Sequence, residues 1–232
     1  MRKLERPEIV VFVSGSKDGG GSGLAELVNN IKTGVLNARI ISVVSNHANG
    51  GVAKIARVEK IDFAHFHGPF EEQLYLGIVK FASSGYVDPF VILSGWLKPV
   101  VGLIPEFTVN THPGPLPNPG QPLKFGGKGM YGQHVHEACL KAFLAKEIDC
   151  SAVSMHFVTP NYDEGPVFFR YPVRIKNDDT PQTLGARVNK IEHGWQSWAT
   201  NLVVTGQIRL LDGKVIVPEW YKLMEFCPAY LR

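Results

Sequence analysis

Little in this chain is extreme, and what it has little of excludes whole classes of protein. Cysteine is scarce: Cys139, Cys150 and Cys227 are the three present. An odd count without C-x-x-C spacing argues against a disulfide framework and against a zinc site, so reduced, mostly buried thiols are expected. Long apolar runs are missing. Stretches such as Ile9–Val13 fall far short of the roughly 18–20 residues that a membrane-spanning helix needs, so no membrane partner is expected. Charge of one sign is not in large excess either, with a formal net charge of +3. The Lys and Arg residues are scattered and form no nucleic-acid arm, which leaves a mixed, solvated surface with room for an anionic small substrate. With 44% hydrophobic and 19% charged residues, intrinsic disorder is excluded. The opening Met1-Arg-Lys-Leu-Glu-Arg-Pro7 lacks the apolar core of a secretory signal, and a cytoplasmic location is the expectation.

What is present is an alternation of short buried strands and amphipathic helices. Glu8–Ser14, Arg39–Ser45 and Phe90–Leu93 are nearly continuous apolar runs without period-two alternation, the pattern of strands covered on both faces. Leu24, Leu27, Val28 and Ile31 recur at helical spacing between the first two. Further helices are predicted over 52–59, 70–83 (with Leu74, Ile78 and Phe81 on its apolar side) and 132–146, and further strands over 62–66, 107–111, 151–158 and 167–175. The strand over 151–158 alternates and is expected closer to the sheet edge. Thr180 and Pro181 start the last long helix as N-cap and first-turn proline, and Gly206 ends it. Asp212-Gly213 turns a short hairpin. No internal repeat or low-complexity linker is present. The order predicts an α/β fold: a doubly wound, mostly parallel sheet with helices on both faces, in one domain over 8–206, with a C-terminal hairpin and tail over 207–232. Ligands of such sheets bind at the carboxyl ends of the strands.

Four loops at those ends carry candidate chemistry. Ser14–Gly23 is rich in glycine and opens a helix, where free N–H groups make an anion site. It is no P-loop, because Gly21 stands where the lysine must be. It is no dinucleotide fingerprint either, because the spacing is absent and the second strand ends in Val44-Ser45-Asn46 without an acid. A phosphate cradle remains, set against a merely flexible loop. Asn110 and His112 lie two apart at the end of a strand, so their side chains share one side. There an imidazole that exchanges a proton stands beside an amide able to hydrogen-bond a developing oxyanion. The alternative is a buried structural histidine. Asp163, in the turn Thr159–Pro166, is placed to support a protonated imidazole, or else belongs to a solvated acidic turn. Ser94–Val101 offers apolar walls, or an ordinary connection with a packed Trp96.

Together these loops resemble the folate-dependent formyltransferases, and among them those that act on glycinamide ribonucleotide in purine synthesis. The resemblance runs from about Val10 to about Gly206. Its specific part is Asn110-x-His112-Pro113-x-x-Leu116-Pro117, then Met155-His-Phe-Val158 and Asp163-x-Gly165-Pro166. Gly21-Ser22-x-Leu24 precedes these, and Ala186-Arg-Val-x-x-x-Glu192-His193 follows. The resemblance implies transfer of the formyl group of 10-formyltetrahydrofolate, a co-substrate, to the amine of phosphoribosylglycinamide, with no metal. It makes His112 the general acid, has Asn110 hydrogen-bond the formyl oxygen, and has Asp163 raise the His112 pKa and help move the amine proton. Gly21, Ser22 and Gly23 would hold the ribonucleotide phosphate, with Pro113 and Glu192 also on the substrate. Leu97, Lys98, Pro99, Val100 and Val158 would line the folate pocket.

The chain departs from the family pattern in three places. Its glycine loop is longer, with Gly23 in place of an asparagine. Lys98 replaces an arginine. The stretch Asn118–Tyr131 is longer than its counterpart, either as a lid or as a disordered insertion. Two other readings stand beside the main one: a sugar-nucleotide N-formyltransferase, which shares the Asn/His/Asp set, and a non-catalytic folate- or ligand-binding relative. A NAD-dependent oxidoreductase is disfavoured by the missing fingerprint. Small molecules are the expected partners, and the oligomeric state is not legible.

Overall fold

The computed structural model describes residues 6–83 and 88–232. Met1–Glu5, part of the charged start, lie outside the described residues. The strands of the main sheet are β1 (Glu8–Phe12), β2 (Arg39–Ser45), β3 (Asp62–His65), β4 (Phe90–Leu93), β5 (Thr108–His112), β6 (Cys150–Phe157) and β7 (Val167–Arg174). Helices α1 (Ser22–Lys32), α2 (Gly51–Glu59), α3 (Glu72–Ala82), α4 (Gln133–Leu144) and α5 (Pro181–Val204) separate or follow them. The sheet has seven strands in the order β3-β2-β1-β4-β5-β6-β7. Strand β1 pairs in parallel with β2 and β4, and β2 with β3, whereas β6 and β7 run antiparallel. The sheet is thus mostly parallel and its winding reverses between β1 and β4, as the alternation of elements predicted.

The chain divides into two compact units. One holds the described residues up to Val109 together with Thr200–Gly206; the other holds Asn110–Ala199 and Gln207–Arg232. In the first, β1 is buried from Ile9 onward because neighbours flank it on both sides. Helix α1 buries Leu24, Leu27 and Val28, and α2 buries Val52, Ala53 and Ala56. Helix α3 corrects the sequence reading. Leu74 and Phe81 are 41% and 89% exposed, and Tyr75 is the residue buried. Tyr75 wins the inward position because its hydroxyl accepts from the Trp96 indole N–H and donates to the Pro99 carbonyl, while its ring packs on Phe12 and Phe66. A tyrosine with both ends satisfied is a better core residue than an aliphatic on a helix apolar on several sides.

In the second unit, β6 is buried along almost its whole length and lies one place in from the edge, which is β7. Thr180 caps α5 as expected, its Oγ1 accepting the Thr183 N–H at 3.2 Å. The hairpin forms as β8 (Arg209–Leu211) and β9 (Lys214–Ile216), with Asp212 at φ 50° and Gly213 at φ 73°, the two positive values of a type I′ turn. Sequence periodicity missed the short α6 (Glu219–Lys222) beyond it. The tail then packs on β7: the Phe226 carbonyl accepts the Arg170 N–H at 2.9 Å, and the hydroxyls of Tyr221 and Tyr230 donate to the carbonyls of Phe168 and Val167. The Phe226 ring stacks on Phe169 and meets Trp195 and Trp198. All three cysteines are free; Cys139 and Cys227 are buried and Cys150 half-buried.

Candidate functional site

Strand β5 delivers Asn110 and His112, and the turn between β6 and β7 delivers Asp163. His112 is 3% exposed. Its Nε2 lies 2.6 Å from the Phe125 carbonyl oxygen, and since a carbonyl only accepts, that nitrogen carries the proton. Its Nδ1 then faces Oδ2 of Asp163 at 3.6 Å. Asp163 takes a positive φ of 56°, a backbone state that aspartate tolerates, and its side chain is 12% exposed. Oδ2 also accepts the Gly127 N–H at 2.9 Å.

The other carboxylate oxygen, Oδ1, is 3.5 Å from Nε2 of His156, a buried residue of β6. Nδ1 of His156 donates to the carbonyl of Phe157 at 3.0 Å, and Nε2 accepts from the Asn110 amide at 3.1 Å. One carboxylate therefore stands between two imidazoles. Each ring commits its far nitrogen to a main-chain carbonyl and turns the other toward Asp163. Asn110, His112 and Asp163, chosen from sequence, are brought together through His156, which was not chosen. Its signal was a histidine in a buried strand, where such a group needs polar partners.

Burial pushes the Asp163 carboxyl up, but the neighbouring imidazoles of His156 and His112 and the Gly127 N–H outweigh it, so its pKa lies below the ordinary value. Burial acts most strongly on His112 and lowers its pKa. Asp163 and the Phe125 carbonyl do raise its pKa, but burial is the larger effect and the net direction is down. At neutral pH this imidazole rests uncharged. The Pro113–Pro117 segment is pinned by Ser154, whose hydroxyl donates to the Gly114 carbonyl at 2.7 Å and accepts the Leu116 N–H at 3.1 Å. Pro113 is half-buried and Val158 buried. Half-buried Glu192 lies on α5 in the same unit, and burial pushes its carboxyl up to about 7. Asn118–Tyr131 is folded rather than loose: Phe125 is buried, and the Asn118 side-chain oxygen accepts from Arg170 at 3.1 Å.

The remaining candidates belong to the unit built on β1–β4. Gly21 is the N-cap of α1 at φ 91°; no side chain caps this helix end and no acid sits in its first turn. Ser22 and Gly23 open the helix, so its N–H groups are oriented for an anion. The loop before it has a defined shape. Ser16 N–H donates to the Gly19 carbonyl at 3.0 Å, Gly19 N–H to the Ser16 hydroxyl at 2.9 Å, and Gly51 N–H to the Gly19 carbonyl at 3.1 Å. A Cβ on Gly20 would lie 2.7 Å from the Gly15 Cα, so the tight fold of this loop needs glycine there. The Leu97 N–H donates to the Ser14 hydroxyl at 2.8 Å, which ties the Leu97–Val100 loop to this one. Leu97 and Pro99 are exposed, Lys98 and Val100 half-buried, and the Lys98 ammonium sits 5.7 Å from the centre of the Phe70 ring. Trp96 is buried against Phe12, Phe66 and Phe70. Among the described residues no group of three or more His, Cys, Asp or Glu is arranged to hold a metal ion, and no helix is long and apolar enough to cross a membrane.

Fold and site define a doubly wound α/β protein whose strand ends gather an amide, two imidazoles and a shared carboxylate. A family model described as formyl transferase matches residues 7–200, and the chain belongs to the formyl transferase family. It is 34% identical over 196 residues to the chloroplastic phosphoribosylglycinamide formyltransferase of Arabidopsis thaliana, which covers 81% of this chain and 62% of the relative. The chain thus spans less than two thirds of that protein's length. It is 24% identical to the phosphoribosylglycinamide formyltransferase of Escherichia coli, over 92% of this chain and 97% of that one. A solved glycinamide ribonucleotide transformylase 1 from Symbiobacterium toebii shares the fold with a TM-score of 0.75 at 24% identity, covering 94% of this chain and 96% of that chain. The phosphoribosylglycinamide formyltransferase of Coxiella burnetii superposes with a TM-score of 0.72 at 26% identity, over 92% of this chain and 94% of that one.

Proposed function

We propose that this protein transfers the formyl group of 10-formyltetrahydrofolate to the amine of phosphoribosylglycinamide, a step of purine biosynthesis. The observation that carries the reading is the buried His112 whose Nε2 is held by the Phe125 carbonyl and whose Nδ1 faces the Asp163 carboxylate. Attack of an amine on a formyl carbon creates an oxyanion and an ammonium that must lose a proton. The second hydrogen of the Asn110 amide, not used on His156, is the donor for the formyl oxygen. His112 takes up the amine proton at Nδ1 as Asp163 stabilises the resulting imidazolium, and returns it to the leaving nitrogen of tetrahydrofolate. The amine has then lost one hydrogen and the folate nitrogen has gained one.

Gly21, Ser22 and Gly23 are assigned to the ribonucleotide phosphate, with the α1 N-terminus as the anion site, and Pro113 and Glu192 to the same substrate. Leu97, Lys98, Pro99, Val100 and Val158 are assigned to the folate. Relatives that bear this activity in their names support the choice of amine. Purified protein given both substrates should produce formylated ribonucleotide and tetrahydrofolate. Transfer to an amino-sugar nucleotide but not to phosphoribosylglycinamide would replace the substrate assignment. Folate binding without transfer to either amine would make the protein a binding relative.

A further inference from the structure

The long Pro/Gly stretch after His112 meets the candidate site with its main chain. The Phe125 carbonyl accepts the Nε2 proton of His112 at 2.6 Å, and two residues on the Gly127 N–H donates to Asp163 Oδ2 at 2.9 Å. Phe125 is anchored: its ring is buried in the cluster of Val135, Cys139, Val153 and Leu184. The residues between and after are glycines for physical reasons. A Cβ on Gly126 would lie 2.8 Å from Leu116 Cδ2 and 2.9 Å from Asp163 Cβ, and Gly127 sits at φ +95°, where side chains are strained.

We propose that Phe125–Gly127 is a positioning element for the reacting pair, the Phe125 carbonyl fixing His112 as the Nε2–H tautomer and the Gly127 N–H orienting Asp163. What Nδ1 then does rests on the formyl-transfer reading, whereas the tautomer does not. Neutral imidazole has two tautomers, and the acceptor that meets one nitrogen selects between them. An acceptor on the main chain of a buried residue cannot rotate away as a side chain can. Nδ1 is thereby left unprotonated toward Asp163, ready to receive a proton. The charged or titratable groups that act on His112 are Asp163 and His156, His112 in turn acts on His136, and Phe125–Gly127 adds no titratable side chain to them.

Imidazole ¹⁵N–¹H spectra of the wild-type protein, with His112 assigned by its loss in His112→Ala, test the tautomer directly. The neutral ring is expected to carry its proton on Nε2; a proton on Nδ1 overturns the proposal. Gly126→Ala should push the segment off the pair, lowering kcat about 10- to 100-fold with KM within about twofold, and shifting the His112 tautomer signal. Gly120→Ala is the control, since it puts a Cβ in the same stretch, at φ +79°, with nothing within 4 Å of it, and should change neither. A Gly126→Ala protein with wild-type kcat and an unchanged His112 signal also overturns the proposal. Should that variant not fold, the wild-type spectrum still decides. If the wild type transfers no formyl group yet shows the Nε2–H ring, the formyl-transfer reading fails and the positioning role stands.

Discussion

Oδ1 of Asp163 lies 3.5 Å from Nε2 of His156, while the other oxygen of the same carboxylate faces Nδ1 of His112 at 3.6 Å. The two rings come from different strands, β5 and β6, and share the two oxygens of one carboxylate. Asp163→Asn keeps the shape and removes the charge. It should lower kcat by about 10²- to 10⁴-fold, the range for loss of acid–base assistance. It should also move the His112 titration to lower pH. Steady-state kinetics and histidine NMR titrations measure the two effects, and an unchanged kcat would exclude Asp163 from the proton transfer.

Acid should destabilise the protein from the top of the histidine range downward. Burial lowers the pKa of His112, and burial followed by the charge of His112 lowers that of His136, whose Nδ1 is buried without a hydrogen-bond partner. Their folded values lie below the unfolded one. The stability tied to these two histidines is therefore complete above about pH 6.5 and falls as pH drops, because the unfolded chain binds protons that the folded chain refuses. His136→Gln should flatten the fall of stability with pH by up to one proton. Urea melts at pH 5, 6 and 8 supply the slope.

Glu192 has the opposite sign. Its folded carboxyl is raised from 4.5 to about 7, so the folded state holds its proton longer than the unfolded state does. The associated stability is present below pH 4.5 and lost as pH rises through about 7. Glu192→Gln should melt higher than wild type at pH 8 and equal to it at pH 4, as thermal scans will report. Under the assignment of Glu192 to the ribonucleotide, the same variant should raise the KM for that substrate more than the KM for folate.

The start of α5 is held by a two-pronged ion pair. Arg187 donates to both oxygens of Asp179 at 2.7 and 2.6 Å, with the Asp179 side chain only 2% exposed. The Arg187 hydrogen bond holds that carboxyl well below the usual range. Arg187→Met leaves a buried carboxylate without its partner and should cost about 2–4 kcal/mol in chemical denaturation. Arg187→Lys should recover only part of this, because an ammonium cannot fill both prongs.

Asn110 and His112 were legible as a pair because their spacing sets them on one side of a strand, whereas Asp163 joined them only through the family resemblance. Two features of the same site were not legible. The Phe125 carbonyl and the Gly127 N–H are main-chain groups, which every residue possesses, so no residue identity announces them. His156 was hidden by its strand: β6 is buried along almost its whole length, and a histidine there reads as core until Asp163 is seen beside it. Strand limits such as 39–45 and 90–93 came directly from apolar runs. The inward side of α3 did not, because Leu74, Tyr75, Leu76, Ile78 and Phe81 offer more than one apolar side. The choice fell to the partners of the Tyr75 hydroxyl, which lie far away in sequence.

The C-terminal segment carries one further consequence. A sheet can lengthen by accepting a foreign strand only where an outermost strand still offers its peptide groups. On β7 the Arg170 N–H already donates to Phe226, and the carbonyls of Val167 and Phe168 already accept from Tyr230 and Tyr221. The C-terminal residues thus act as a local terminator: the three main-chain groups they bond on β7 are no longer open to a foreign strand at that edge.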